Sequence, residues 1–383
     1  MTSAHIWIDT PAGLAPFIAA CTAAPWLVLD TEANSMYVYR ERTCLLQANA
    51  GGELYVLDTL ALIAATGWEP LTATAPCPAL DGLRAAFARN DRRLWVHGGE
   101  YDCATLRRDF ALELGGVWDT QQAASLLGWE KTGYGALVER ICGVALDKAY
   151  TQYDWATRPL DPKALDYAID DVVHLPAVAQ HLEEAILAAD LVEEHAIASA
   201  AVAASGWNGG FDPADWWRMK GVRDVAKERL PVLHALYAWR DGVAKAHNQP
   251  PGRILNGEAL LSVARSAPTN FQLLKRSGLK SWLLAEHGEE LIALIKDALA
   301  NPPALPPYPN HREVDDAEVR RERRLKDWRM GESTNRGVTL QVVLPAKALE
   351  HLKRYGAGDL ASVPQLGPKR IDKYGRRLRE LCD

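Results

Sequence analysis

Long apolar runs, paired cysteines and an N-terminal leader pattern are all missing from this 383-residue sequence. No segment approaches the ~18 uninterrupted apolar residues of a transmembrane helix, so we expect no membrane association. The first residues, MTSAHIWIDT, lack the basic stretch followed by an apolar one that is typical of a secretory signal. The six cysteines are scattered without a Cys-x-x-Cys pair, which favours reduced thiols over a disulfide framework or a zinc cluster. These absences predict a cytoplasmic protein.

Positive charge is scarce in the front of the chain. Residues 1–200 hold 13 Lys and Arg against 27 Asp and Glu, a net charge of −14, whereas residues 201–383 hold 30 against 22, a net charge of +8. Chance differences in composition between domains would give such a split in charge. So would a cation-binding catalytic part followed by a part that binds a polyanion. The length suits two or three domains.

The segment 26–32, WLVLDTE, reads as a buried strand that ends in two carboxylates. Side chains alternate along a strand, so Asp30 and Glu32 should lie on one face. Such a pair suits a hard cation, but the site would need acids from elsewhere in the fold. Acid pairs at this spacing are also common on solvated surfaces.

Further strands and acids follow. Segments 43–48 and 54–58 predict a hairpin beside the first strand. Segment 93–97 predicts another strand, which Gly98-Gly99 ends, and Asp102 then falls in the first turn of a helix. Sites in open α/β sheets form at the carboxyl ends of strands. We therefore expect Asp102 to lie near Asp30 and Glu32.

Two helix starts place more polar residues. Asp119 or Thr120 is the expected N-cap of a helix after a short strand at 117–120. Asp161-Pro162 predicts a second helix, with Asp161 as N-cap and Pro162 as its first residue. In that helix Tyr167 and Asp171 are one turn apart and share a face.

The rear of the chain is helical and basic, with a faint internal repeat. A shift of 89 residues aligns Leu236, Trp239, Leu255, Leu260 and Gly278 with Leu325, Trp328, Leu344, Leu349 and Gly367. Between the two copies, five prolines within residues 301–310 predict a stiff extended spacer.

These acids and their flanks resemble the tyrosine-bearing branch of the DEDD exonucleases. The segments LVLDTE, CLLQ, WVHGGEYD, WDTQQAASLLG and YDWATRPLDPKALDYAIDDVVHL are similar to the exonuclease motifs of the ribonuclease D family. The two repeated helical segments resemble its HRDC domains, so the resemblance covers nearly the whole chain. It departs at Ala33-Asn34, where the family usually has a bulky apolar residue, and this bears on how the terminal nucleotide is gripped.

The resemblance implies a fold and a division into domains. We expect an α/β exonuclease domain of the ribonuclease H-like kind, with a mixed sheet flanked by helices, at residues 1–205. An all-α HRDC domain is expected at 212–300, a proline-rich linker at 301–311 and a second HRDC-like domain at 312–383.

The resemblance also implies a metal-dependent 3′-to-5′ exoribonuclease. Its catalytic residues would be Asp30, Glu32, Asp102, Tyr167 and Asp171, and the four acids would hold two Mg²⁺ or Mn²⁺ ions, with Zn²⁺ an open alternative. Two such ions about 4 Å apart activate water and stabilise the leaving oxygen in phosphodiester hydrolysis. Tyr167, with an ordinary pKa near 10, would orient the attacking water. We interpret His97 as a core residue rather than a contributor to the site.

The expected partner is RNA, such as tRNA precursors, with nucleoside 5′-monophosphates as products and no obligate protein partner. The cluster of basic residues near the C-terminus with few acids beside it is predicted to contact RNA phosphates: Lys369, Arg370, Lys373, Arg376, Arg377 and Arg379. Two alternatives are a DNA-directed exonuclease of the same superfamily and a non-catalytic nucleic-acid-binding scaffold.

Overall fold

The computed structural model describes residues 4–70, 72, 74–305 and 315–383, which form two compact units. The first unit comprises the described residues of 4–33, 42–207 and 315–383, and the second comprises 34–41 and 208–305. The division into domains 1–205, 212–300 and 312–383 stays a prediction, and residues 315–383 pack in the same unit as the predicted nuclease domain. Of the predicted linker, residues 306–311 lie outside the described residues.

A mixed sheet is the centre of the first unit. Its strands are β1 Ile6–Ile8, β2 Trp26–Ala33, β3 Thr43–Ala50, β4 Glu53–Asp58, β5 Arg93–Val96 and β6 Val117–Asp119, in the order β1-β4-β3-β2-β5-β6. β3 is antiparallel to β2 and β4, which confirms the predicted hairpin. β2, β5 and β6 are parallel to one another. Their carboxyl ends therefore meet at one edge, where sites form in α/β sheets.

Helices cover both faces of this sheet. They are α1 Pro11–Ala23, α2 Thr59–Thr66, α3 Asp81–Phe87, α4 Glu100–Phe110, α5 Thr120–Leu126, α6 Tyr134–Cys142, α7 Pro162–Val173, α8 Leu175–Ala188 and α9 Val192–Ala203. Strand β2 contributes to both cores, because Leu27 and Leu29 pack on one side and Val28 packs on the other. Asp30 and Glu32 continue the Val28 side, which is the side covered by α7. The predicted mixed sheet flanked by helices is confirmed.

The second unit is helical, as predicted. It contains α10 Leu230–Ala246, α11 Pro251–Ile254, α12 Gly257–Ser266, α13 Phe271–Lys275 and α14 Ser281–Ala300, preceded by short 3₁₀ helices at Pro213–Arg218, Val222–Asp224 and Lys227–Arg229. Its core is apolar and includes Trp216, Leu236 and Leu291. The Tyr39 hydroxyl donates a hydrogen bond of 2.7 Å to Asp241 of α10. This contact holds segment 34–41 within the second unit.

The C-terminal part of the first unit repeats the same helical plan. It contains α15 Asp316–Arg336, α16 Leu340–Val343, α17 Ala346–Tyr355 and α18 Pro368–Cys382. A shift of 89 residues places α11 on α16 and α12 on α17 over their full lengths. The aligned glycines Gly278 and Gly367 both have left-handed backbones, with φ of 74° and 75°. The predicted internal repeat is confirmed at the level of the backbone.

The longest of the described helices, α14 and α15, have 20 and 21 residues. Charged side chains recur along both of them. Across the described parts of the chain, no helix is both long enough and apolar enough to cross a bilayer.

Candidate active site

Three carboxylates meet at the carboxyl edge of the sheet. One side-chain oxygen each from Asp30, Glu32 and Asp171 lies within 4.8 Å of the other two. Asp30 and Glu32 are two residues apart on β2, and Asp171 belongs to α7. All three side chains are half-buried. Oxygen ligands about 2.1 Å from one Mg²⁺ lie roughly 3 to 4 Å apart, so these three acids are placed to share a cation.

Asp102 joins this group through Thr31. The Thr31 hydroxyl, which lies between Asp30 and Glu32 in sequence, donates a hydrogen bond to Asp102 Oδ1. Asp102 is 8% exposed and lies in the first turn of α4, as predicted. We call Asp30, Glu32, Asp102 and Asp171 the acidic centre. Residue spacing alone gave no sign of the role of Thr31, because alternation predicts that it faces away from its neighbours.

A buried aspartate fixes the start of α4. The Asp119 carboxylate accepts hydrogen bonds of 2.9 Å from the backbone amides of Gly99 and Gln122, so it caps α5 as predicted and also holds the loop before α4. A Cβ atom at Gly99 would lie 2.8 Å from Val96 Cγ2, so this turn requires glycine. Asp119 thereby positions the helix that carries Asp102.

Burial and mutual repulsion raise the pKa values across the acidic centre. Burial raises the pKa of Asp30 well above its usual range, and the charges of Asp102, Asp171 and Glu32 raise it further. The same two causes raise the pKa of Glu32 to about 9 and that of Asp171 to about 7. The pKa of Asp102 rises only to about 6, since the Thr31 hydrogen bond opposes the effect of burial. Carboxylates that repel one another in this way are stabilised by a bound cation.

Helix α7 presents Tyr167 beside Asp171. Asp161 caps the helix and Pro162 is its first residue, as predicted. The Tyr167 ring lies 6.1 Å from the Trp155 ring and 6.4 Å from the Tyr150 ring, measured between centroids. Burial, followed by the charges of Asp171 and Glu32, raises the pKa of Tyr167 to about 12. Its hydroxyl is therefore protonated at neutral pH and can donate a hydrogen bond.

Arg158 fixes the loop that leads into α7. Its guanidinium binds both carboxylate oxygens of Asp58, at 2.7 and 2.8 Å, and donates to the backbone carbonyls of Trp155 and Cys44. Asp58 ends β4 and caps α2. Arg158 therefore ties the loop before α7 to the sheet, which helps to place Tyr167 and Asp171.

Gln47 is a polar residue of this region that sequence reasoning did not single out. It is fully buried on β3 and is paired in register with Asp30 of β2. Cross-strand partners project from the same face of a sheet. Neither atom of the Gln47 side-chain amide has a hydrogen-bond partner among the described residues. An unpaired buried amide opposite Asp30, a carboxylate with a raised pKa, fits a site that receives hydrated cations.

His97 and Tyr134 border the acidic centre. His97 Nδ1 lies 2.9 Å from the Thr120 hydroxyl, and burial lowers its pKa to about 4, so the imidazole is neutral at physiological pH. Its ring lies 5.4 Å from the Tyr134 ring. The Tyr134 hydroxyl donates to the Asp170 carbonyl in α7. A neutral, packed His97 agrees with its interpretation as a core residue, and Tyr134 is a neighbour of the site that the spacing of motifs did not reveal.

The raised pKa values predict how metal-free protein responds to pH. Acids whose pKa is higher in the folded than in the unfolded state bind extra protons when folded, so stability falls as pH rises through roughly 4 to 9. We expect the melting temperature in excess chelator to fall across this range and Mg²⁺ or Mn²⁺ to restore it most at high pH. Thermal denaturation of wild type and Asp30→Asn measures this effect, and the variant should show the smaller decline. An equal decline in both proteins would contradict the prediction.

The basic cluster at the C-terminus is not uniform. Arg370 is 2% exposed, and its guanidinium donates to the carbonyls of Gln341, Val342 and Leu366. The prediction that Arg370 contacts RNA is therefore wrong, because this side chain holds α16 against α18. Lys369 pairs with Asp190 at 2.9 Å and Glu194 at 3.4 Å. The exposed members are Lys373, Arg376, Arg377 and Arg379.

Comparison with known proteins agrees with the predicted exonuclease and HRDC domains. A family model described as a 3′-5′ exonuclease matches residues 5–187, and an HRDC domain model matches residues 229–295. The ribonuclease D of Zymomonas mobilis subsp. mobilis is 32% identical over 320 residues, which cover 81% of this chain and 77% of that protein. The ribonuclease D of Nitrobacter hamburgensis is 29% identical over 384 residues, covering 98% and 94%.

A solved structure shares the fold across nearly all of the chain. The crystal structure of Escherichia coli RNase D matches with a TM-score of 0.71 and covers 99% of this chain and 98% of its own. The sequence identity is 23%, so this likeness concerns the fold.

Proposed function

The chain belongs to the ribonuclease D family of 3′-to-5′ exoribonucleases, and we propose that it trims the 3′ ends of structured RNAs such as tRNA precursors. The observation that carries the catalytic part of this proposal is the acidic centre, in which three carboxylates converge and Asp102 is linked to them through Thr31. Escherichia coli RNase D, which shares this fold, is an exoribonuclease involved in structured RNA processing, and this supports the choice of structured RNA as substrate.

The acidic centre offers only oxygen ligands, which suits Mg²⁺ or Mn²⁺. We assign Asp30, Glu32 and Asp171 to one cation, and Asp30 together with Asp102 to a second. When bound, the two cations supply an activated water and neutralise charge at the leaving oxygen. The raised pKa values of the acids mean that protons leave the centre as cations enter, so metal affinity should increase with pH.

Tyr167 then orients the water for attack. Its pKa of about 12 keeps the hydroxyl protonated, so Tyr167 acts as a hydrogen-bond donor rather than a general base. The packed rings of Tyr150 and Trp155 limit where that hydroxyl lies. Arg158 also helps to fix the position of Tyr167, because it holds the loop before α7 through its ion pair with Asp58.

Replacing Tyr167 with phenylalanine should test this assignment. The ring packing is kept and one hydrogen bond is lost, so we expect the single-turnover rate to fall roughly tenfold to a hundredfold with little change in RNA affinity. The shape of the pH-rate profile should not change, since the hydroxyl does not titrate in the working range. Tyr150→Phe is the matched control. It also removes one tyrosine hydroxyl, but that hydroxyl donates to Asp161 and not to the attacking water, so the rate should stay near that of wild type. A loss of affinity at an unchanged rate would assign Tyr167 to substrate binding instead.

The substrate assignment is tested with matched nucleic acids. Purified protein is incubated with a 3′-extended tRNA, an unstructured RNA and single-stranded DNA of equal length, each with Mg²⁺ or with excess chelator. We expect metal-dependent release of nucleoside 5′-monophosphates and the highest kcat/KM on the extended tRNA. A preference for DNA or for unstructured RNA would contradict the proposed substrate, and cleavage in chelator would contradict the proposed chemistry.

A further inference from the structure

A second group of metal-ligating atoms lies in the helical second unit. His247 follows the last residue of α10, and Glu286 and His287 are consecutive residues of α14. One ligand atom from each of these residues lies within 4.8 Å of the other two. Glu286 Oε1 is 3.5 Å from His247 Nε2 and 3.7 Å from His287 Nε2.

These separations fit one small dication. Nitrogen and oxygen ligands bind Zn²⁺ at about 2.0 to 2.2 Å in a tetrahedron, which places the ligand atoms roughly 3.3 to 3.5 Å apart. The two distances from Glu286 exceed the upper end of this range by about 0.2 Å at most, and the separation between the two imidazoles is at most 4.8 Å. Three protein ligands leave the fourth position of the tetrahedron for water.

His287 is oriented as a metal ligand is. Its Nδ1 lies 2.7 Å from a carboxylate oxygen of Glu290, one turn further along α14. A carboxylate at Nδ1 accepts the ring proton, which leaves the lone pair on Nε2. Within the described residues, this buried Nε2 atom has no hydrogen-bond partner. In metalloproteins, a histidine ligand is commonly held in this way: a carboxylate binds one ring nitrogen, and the other ring nitrogen is free to bind the metal.

The surroundings favour a cation as well. Glu286 and Glu290 each bring a negative charge, and His247 stands at the C-terminal, electronegative end of α10. The Trp239 ring lies 5.6 Å from the His287 ring, and the Trp282 ring lies 5.5 Å from the His247 ring. His247 and Glu286 are exposed, whereas His287 is half-buried, so an ion reaches the site from solvent and the rings pack beside the two imidazoles.

We propose that His247, Glu286 and His287 bind a transition-metal dication of the Zn²⁺ class, with Glu290 as the positioning residue for His287. Imidazole nitrogen selects Zn²⁺, Co²⁺, Ni²⁺ or Cu²⁺ over Mg²⁺, so this site differs in metal preference from the acidic centre. The ion links the end of α10 to α14. Its role is therefore to stabilise the helices of the second unit rather than to take part in hydrolysis.

Cobalt binding tests the proposal in the full-length protein. Metal-stripped protein is titrated with Co²⁺ in excess Mg²⁺, which occupies the carboxylates of the acidic centre, and visible absorption and metal content are measured. Wild type should bind one more equivalent of Co²⁺ than the double variant His247→Gln/His287→Gln, with the intense absorption of a four-coordinate site, and Zn²⁺ should displace it. Glu290→Gln should weaken binding about 10- to 100-fold. His351→Gln is the control: it removes a histidine of α17, in the first unit, and should match wild type.

Thermal denaturation separates a metal site from a simple ion pair. Zn²⁺ should raise the unfolding temperature of wild type and of His351→Gln but not that of the double variant. Equal Co²⁺ stoichiometry and spectra for wild type and the double variant would overturn the proposal. So would a wild-type unfolding temperature that Zn²⁺ leaves unchanged, because Glu286 would then only form ion pairs with the two imidazoles.

Discussion

Asp102→Asn is expected to yield a folded, RNA-binding protein whose hydrolysis is slower by roughly two to three orders of magnitude. Loss of one metal ligand removes several kcal/mol of charge stabilisation from the transition state, and each 1.4 kcal/mol corresponds to about a tenfold change in rate. Asparagine keeps the oxygen that accepts the Thr31 hydrogen bond, so the start of α4 should stay in place. Single-turnover cleavage of a 3′-extended RNA in Mg²⁺ measures the rate. Titration of that RNA with protein in excess chelator, where no cleavage occurs, measures RNA affinity.

The stability of this variant provides an independent readout. Asp102 is among the charges that raise the pKa values of Asp30, Glu32 and Asp171, so its neutralisation relieves repulsion in metal-free protein. The melting temperature in chelator at high pH should therefore be no lower than that of wild type. Asp170→Asn is the matched control, since it removes an acid one residue from the centre and should leave the rate within a fewfold of wild type. Wild-type rates in Asp102→Asn would contradict the metal-ligand assignment.

Alanine at Lys373, Arg376 and Arg379 is expected to lower RNA affinity about 100-fold at 0.1 M salt. These side chains are exposed on one side of α18 at spacings of three residues. Each phosphate contact on a single strand contributes a slope of about −0.7 to the dependence of log affinity on log salt. Three lost contacts should therefore flatten the slope by about 2, while turnover of short oligonucleotides at saturation should not change. Binding isotherms at several salt concentrations measure both effects.

A control with the same change in charge makes this test specific. Arg320, Arg323 and Lys326 are exposed on α15, where Arg323 and Lys326 both pair with acids of the same helix, whereas on α18 Arg376 pairs with Glu380. Replacing these three by alanine should change the slope much less. Equal slopes for the two triple variants would show that α18 is no preferred RNA surface. Substitution is preferable to deletion of the C-terminal helices, because Val342 is part of the nuclease core and would be lost with them.

The sequence predicted most of the acidic centre because its members follow local rules. Alternation along β2 placed Asp30 and Glu32 together, and the spacing of one helical turn placed Tyr167 beside Asp171. The contact of Thr31 with Asp102 and the register of Gln47 with Asp30 depend on how distant segments pack, and no local pattern reports that. The same holds for the pairing of Arg158 with Asp58, which are 100 residues apart.

Two errors had signals that the sequence did contain. Arg370 lies at a spacing of four from Tyr374, which in turn lies four before Leu378, and all three are buried on α18. A basic residue in such a stripe belongs to the helix interface rather than to an exposed phosphate-binding face. The first strand and helix, β1 and α1, were not predicted, although Thr10-Pro11 marks the helix start with a proline at its first position.

The two helical modules have one backbone plan at an offset of 89 residues, which is what duplication of a single ancestral segment produces. Equivalent positions then show how the copies diverged. Lys280 of the first copy donates to the Arg253 carbonyl within its own copy, whereas its counterpart Lys369 pairs with Asp190, just before α9, and with Glu194 of α9. The lysine at this position therefore makes a contact within the first copy, and in the second copy it connects α18 to α9, outside the repeated segment.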